Sequence, residues 1–249
     1  MRNLTAFLTA FLTAFLLIPS LCFAGASRDF TNASTDRINL GTVGDSVLRE
    51  NQALTIILWS KPAASNGGTI MRREISFGNV AVLFAATSKL RFYRASSTPP
   101  LEVLSSDSVV SNNVWQAIAV TWDGSNTAAN VKMYVNLVET SYATQTNGGG
   151  TVFDNSGGSL ILGNNAGGTS GYDGLMAHVQ CFDRVLSLSE IAEATYAPGS
   201  VRDGLRVYQP LYGVNSPELD LSGNGYTGTV TGATESADGP PIFLPGGSF

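Results

Sequence analysis

The chain holds one histidine, His178, and two cysteines, Cys22 and Cys181. A lone imidazole excludes sites built on two or three of them, such as an H-E-x-x-H helix or a His-rich zinc centre. A hydrolytic triad would have to use His178. No G-x-S-x-G turn presents a serine to it, and Ser105-Ser106-Asp107-Ser108 is ordinary loop composition. On a strand His178 alternates with Val179 and Cys181, so it reads as a sheet-face residue beside Gln180 and Phe182. Cys181 reads as a small core residue rather than a nucleophile. The Gly-rich stretches at 147–150 and 166–168 lack the G-K-[ST] ending of a phosphate loop and read as turns.

Non-covalent recognition asks for less: an aromatic face for C–H groups and a few amide, carboxylate or guanidinium groups for hydroxyls. Leu90-Arg91-Phe92-Tyr93-Arg94 supplies such a strand, with Leu90 and Phe92 toward the core and Arg91 and Tyr93 on the other side. Asp123, Asn126, Asn164, Asn165 and Asp173 carry loop oxygens suited to joining that contact or to coordinating Ca²⁺. Trp59 and Trp115 read as core. The candidate ligand-contacting residues are therefore Arg91, Tyr93, Asp123, Asn126 and Asp173, with calcium as the one cofactor whose chemistry suits them.

The elements that must position these residues are short strands. The chain has 249 residues, 43% hydrophobic and 13% charged, with 27 Gly, which fits neither a disordered polyelectrolyte nor a coiled coil. A formal charge of −5 with no Lys/Arg cluster leaves no footprint for a nucleic acid. Arg2, the apolar run Leu4–Ile18 and the small residue Ala24 have the three-part layout of a secretory signal peptide, with cleavage expected after Ala24. The remaining chain, 25–249, then has Cys181 as its lone cysteine and no internal disulfide, and is expected to be secreted.

From Ala53 onward β-rich runs alternate with Gly, Asn, Asp, Ser and Pro at roughly ten-residue intervals, the spacing of a two-sheet sandwich. The runs expected as strands are 54–60, 69–72, 79–85, 89–94, 115–122, 130–135, 160–163 and 175–182. In the run ending at Trp122, Ile118, Val120 and Trp122 face the core, and Ala117, Ala119 and Thr121 face away. Ser187-Leu188-Ser189-Glu190 is a capping box that predicts a helix to about Tyr196, stopped before Pro198-Gly199. The segment 200–245 reads as a returning pair of strands within the same domain, so residues 25–249 are expected to form one domain with its core at 30–195.

Four stretches carry a family resemblance. Leu54-Thr55-Ile56-Ile57-Leu58-Trp59-Ser60-Lys61-Pro62 is similar to F-T-I-x-x-W-V-K-P, and Trp115 to Gly124 is similar to W-h-x-V-A-V-T-Y-D-G. Val131 to Asn136 resembles L-Y-V-N-G, and Tyr172 to Ile191 resembles F-x-G-x-I-D-E-V-x-I-Y-x-R-A-L-S-x-x-E-I. In this order they resemble the laminin G-like jelly-roll domains of the concanavalin A-like lectin/glucanase superfamily, and Asp220 to Gly225 resembles a D-x-S-G-N-G segment often beside them. The resemblance implies an all-β antiparallel jelly roll that binds glycans or cell-surface ligands, sometimes with calcium. Two departures stand out: Ala177-His178 replaces the acidic pair, and Leu137 replaces the Gly after the Y-V-N string.

The superfamily also includes glucanases, and a retaining hydrolase needs two carboxyls about 5 to 5.5 Å apart. The nearest match to the E-x-D-x-x-E or E-x-D-x-E pattern is Glu218-Leu219-Asp220, whose final acid is absent, so it reads as a polar turn. The expected function is thus a secreted, non-catalytic module that recognises a carbohydrate or other cell-surface ligand through a concave sheet face and loops. A structural or adhesive protein that self-assembles through sandwich faces or edges is the alternative. A degenerate glycan hydrolase is the third reading.

Overall fold

A computed structural model describes residues 26–32, 35–43, 47–49, 51–63, 68–75, 78–85, 88–95, 98–150 and 154–242. The expected signal peptide lies outside the described residues. Two eight-stranded antiparallel sheets pack face to face. The first has the order β10 (Val138–Glu139), β9 (Lys132–Val135), β8 (Gln116–Trp122), β3 (Leu54–Pro62), β13 (Asp173–Phe182), β1 (Ser27–Thr31) and β16 (Thr234–Ser236), with β14 (Leu205–Gln209) also on β13. The second runs β11 (Tyr142–Thr146), β7 (Leu101–Ser105), β6 (Lys89–Arg94), β5 (Gly78–Ala85), β4 (Gly68–Ile75), β12 (Ser159–Leu162), β2 (Arg37–Thr42) and β15 (Thr229–Thr231). One α-helix, α1 (Leu188–Tyr196), follows β13. The antiparallel sandwich expected from the turn spacing is therefore present.

The core between the sheets is built by alternation. Ile56, Leu58, Ile118, Val120, Trp122 and Met176 point inward from the first sheet, and Ile38, Leu90, Phe92, Leu101, Val103 and Leu160 from the second. The other side of the first sheet is covered as well. Ile57, Ala119 and Phe182 pack under Ile191 and Ala194 of α1, while Trp59, Ala117 and Ala177 pack against Ile242. The small alanines let these covering segments approach the sheet closely, which is why almost every residue of β3, β8 and β13 is buried. Trp115 is half-buried at the edge of this layer and donates Nε1–H to Asp238 Oδ1 at 2.8 Å. We call this the covered sheet and its partner the open sheet.

The helix forms where its cap is encoded. The Ser187 side chain accepts Glu190 N–H, and Glu190 Oε2 accepts Ser187 N–H at 2.8 Å, which makes the reciprocal capping box. The returning strands do not pair with each other. β15 extends the open sheet on β2, and β16 extends the covered sheet on β1. Gly174, the glycine of the F-x-G string, has φ +131°, and a Cβ there would lie 2.4 Å from the Lys61 carbonyl. Only glycine lets β13 lie this close to the end of β3. Among the described residues no helix is long and apolar enough to cross a membrane.

Candidate functional site

Arg91 and Tyr93 emerge on the outer side of the open sheet, because Leu90, Phe92 and Arg94 alternate with them and are buried. Register pairs Tyr93 with Glu102 on β7 and with Ala81 on β5, and Ala81 in turn pairs with Arg72 on β4. The row continues through Ile161 to Asn39. Arg91 donates Nε–H to Glu102 Oε1 at 2.6 Å, and its guanidinium carbon lies 4.3 Å from the centroid of the Tyr93 ring. Arg72 lies 3.4 Å from Glu74 Oε2, which also accepts the Ala166 N–H at 2.9 Å. Burial lowers the Arg72 pKa and the Glu74 charge opposes that shift. At the β6 and β7 end this outer row carries half-buried guanidinium, phenol and carboxylate groups, with Arg72 and Glu74 on β4 farther along and the buried Ile161 beyond them.

The other three candidate residues are elsewhere. Asp123 and Asn126 lie in the loop after β8, at the Leu54 end of β3, because Leu54 pairs with Trp122. Asp173 begins β13 at the Pro62 end of β3, where Gly174 pairs with Pro62. Nine residues of β3 put those loops roughly 25 Å apart, so the five candidates do not form one site. Asp123 accepts Ser125 N–H at 2.9 Å and Asn130 Nδ2–H at 2.7 Å. Burial pushes its carboxyl up, but these hydrogen bonds outweigh that and leave its pKa lowered. Asn126 accepts a hydrogen bond from the buried Arg94, whose guanidinium also covers the Trp122 ring at 5.5 Å.

Asn164 and Asn165 turn their side-chain oxygens onto backbone N–H groups of their own loop. Asp173 lies near Asp29, whose carboxyl is pushed up by burial, then by the charges of Asp173 and Asp36. Among the described residues no three His, Cys, Asp or Glu side chains converge as metal ligands. The oxygens of Asp123 are turned into its own loop and Asp173 stands at the opposite end of β3, so the five candidates do not make a single calcium centre.

His178, Cys181 and Glu218 are all buried within the fold. His178 sits on the outer side of the covered sheet, as its alternation predicts, but it is buried rather than exposed. It lies at a bulge in β13, between the stretch paired with β1 and the stretch paired with β14. Its Nδ1 lies 3.0 Å from Tyr208 Oη, and burial pushes its pKa down to about 4. The Cys181 thiol points at Met71 Sδ, 3.5 Å away, and burial pushes its pKa up. Glu218 is buried in an ion pair with Arg28.

Asp220 accepts the N–H groups of Tyr208, Ser222 and Tyr226 at 2.9 to 3.0 Å. Ser222 and Asn224 bond the Arg206 carbonyl at 2.9 Å. The D-x-S-G-N-G segment therefore clamps β14 and agrees with the polar-turn reading. Glu102, Glu74 and Arg72, the companions of Arg91 and Tyr93, were not among the sequence candidates. The alternation of Leu101-Glu102-Val103-Leu104 was the available signal for Glu102, since it puts that residue outward on the strand beside β6.

Comparison with known proteins agrees with this architecture. A Bacteroides ovatus protein named provisionally as carbohydrate binding aligns over 89% of this chain with a TM-score of 0.63 and 17% identity. The alignment spans 62% of that protein's length, so the chain accounts for less than two thirds of it. A heptameric SAP-like pentraxin from Limulus polyphemus aligns over 82% of this chain and 95% of its own, with a TM-score of 0.54 and 13% identity. At these identities the two structures speak for the fold alone. No curated protein matches the sequence. The laminin G-type model of the concanavalin A-like lectin/glucanases superfamily matches residues 32–192, well over half of the sequence, and the chain belongs to that superfamily.

Proposed function

We propose that the protein is an exported, non-catalytic carbohydrate-binding module whose ligand lies on the outer face of the open sheet around Arg91, Tyr93 and Glu102. The observation that carries this reading is the asymmetry of the sandwich. Helix α1 and the segment at Ile242 bury the outer side of the covered sheet, while the open sheet leaves a polar, aromatic-bearing row half-exposed. Aromatic and hydrogen-bonding groups fixed on adjacent strands suit a sugar, which offers both C–H patches and hydroxyls. The likeness to a Bacteroides protein with a provisional carbohydrate-binding name supports the same class.

Hydrolysis fits the open face poorly. Its carboxylates Glu74 and Glu102 stand on β4 and β7, three strand spacings apart. At about 4.8 Å per spacing that is roughly 14 Å, beyond the ~5 Å of retaining enzymes and the ~6.5 to 9.5 Å of inverting ones.

The test is a glycan-panel screen of the secreted protein with and without Ca²⁺, followed by titration of the best oligosaccharide against wild type and Tyr93→Ala. A saturable ligand whose affinity falls at least about tenfold in Tyr93→Ala, close to 1.4 kcal/mol, is expected. Absence of any glycan ligand, or full affinity in the variant, overturns the assignment.

A further inference from the structure

We propose that the open face selects neutral carbohydrate over carboxylated or sulfated carbohydrate, an inference that rests on the binding reading above. The cations on the outer side of β4 and β6 each have an acid partner, while Arg94 is buried on the inner side and bonds Asn51 and Asn126. Arg91 is 2.6 Å from Glu102, Lys89 is 2.6 Å from Asp107, and Arg72 is 3.4 Å from Glu74. On this outer face each ammonium or guanidinium charge is consequently offset by a carboxylate beside it, which weakens the pull on an incoming anion. Arg37 has no ion pair among the described residues, but it stands on β2, four strand spacings from β6. That is roughly 19 Å, about twice the Debye length at physiological salt, so its charge is screened from the site.

The hydrogen-bonding inventory favours hydroxyls over an oxyanion. Arg91 engages Glu102 through Nε, and its two terminal NH₂ groups bond no described residue. Glu102 uses Oε1 in that bond, and its Oε2 bonds no described residue. The Tyr93 hydroxyl likewise has no hydrogen-bond partner among the described residues. The three side chains thus present N–H donors, a carboxylate acceptor and an amphoteric hydroxyl within one cross-strand pair and its diagonal. A pair of adjacent sugar hydroxyls satisfies this set, one accepting from Arg91 and the other donating to Glu102. A carboxylate or sulfate can only accept, so it would use Arg91 while lying against the Glu102 charge, which disfavours it.

The experiment measures affinities of the full secreted protein for neutral hexose oligosaccharides and for uronate-containing, sialylated and sulfated oligosaccharides of matched length. Titrations run at about 50 and about 500 mM NaCl, where screening differs strongly. Wild type is expected to bind the neutral series best, with less than about a twofold change between the two salts. Glu102→Gln removes the acceptor charge and leaves Arg91 uncompensated. It is expected to weaken the neutral ligand and to strengthen acidic ones by about fivefold, a gain that salt suppresses. Arg91→Gln, the reciprocal change, is expected to weaken both classes and the acidic one more.

A wild-type preference for acidic glycans that collapses at high salt overturns this inference and leaves the carbohydrate reading intact. Glu102→Gln and Arg91→Gln variants that keep the wild-type melting temperature and the wild-type preference also overturn it. Absence of binding to every oligosaccharide removes the underlying reading instead.

Discussion

The two sheets of this sandwich share one core but treat their outer faces in opposite ways. In the covered sheet, Ile57, Ala119 and Phe182 lie beneath α1, and Trp59, Ala117 and Ala177 lie beneath Ile242. In the open sheet, the outward positions of β6 and β7 are Lys89, Arg91, Tyr93, Glu102 and Leu104, all half-buried and none under α1. Apolar side chains, the alanines interleaved with Ile57, Trp59 and Phe182, mark the face on which other chain segments settle. Long amphipathic side chains, ion-paired to one another, mark the face left to solvent and proposed for ligand. The proposed division of labour is one of stability against recognition, and substitution on the two outer faces should separate the two properties.

The largest effect is expected on the covered side. Phe182→Ala removes a fully buried ring between the sheet and α1 and should cost about 3 to 5 kcal/mol in chemical denaturation. A loss below about 1 kcal/mol would mean that the helix does not shield this face.

His178 should impose an acid limit from the same side. Its imidazole is buried neutral, with a pKa near 4 against the usual 6.5. The unfolded chain takes up the proton first, so stability is complete above about pH 6.5 and declines as the pH falls toward about 4. The expected loss over that window is on the order of 3 kcal/mol. Asparagine tolerates the positive φ of +52° at this position, so His178→Asn should fold and flatten the pH dependence between those limits. An unchanged profile in denaturant melts would assign the acid sensitivity to other groups.

A smaller cost is expected at the helix cap. Ser187→Ala deletes the side-chain half of the capping box and should destabilise by about 1 kcal/mol. Tyr93→Ala on the open face should change stability least, by about 0.5 kcal/mol or less, while weakening ligand binding. Equal destabilisation by Phe182→Ala and Tyr93→Ala would erase the contrast between the faces.

Part of this arrangement is legible in the linear chain. Strand β6 has the expected limits at Lys89 and Arg94, its inward and outward residues follow from strict alternation, and α1 is announced by its capping box. The antiparallel sandwich follows from turn spacing and from the four family stretches. Strand β1 was not legible, because its buried Arg28 is neutralised by Glu218, 190 residues later, a pairing that no local pattern reveals. Strands β2, β7 and β11 are short and lie among Thr, Ser, Pro and Asn residues that read as turns.

The candidate site was half legible for a related reason. Asp123, Asn126, Asn164 and Asn165 have the side chains of ligand-binding loops, yet they hold their own turns and a buried arginine. Residue type alone cannot separate those roles. The link between Arg91 and Glu102 depends on strand register across β6 and β7, which emerges only when the sheet is assembled.

The most direct test of the central claim is to map, by amide chemical-shift perturbation, where the tightest-binding neutral oligosaccharide contacts the protein. The account predicts the largest shifts on β6 and β7 around Arg91, Tyr93 and Glu102, with the loops at Asp123 and Asp173 unmoved. Shifts centred on either of those loops, or on the α1 side of the covered sheet, would contradict it.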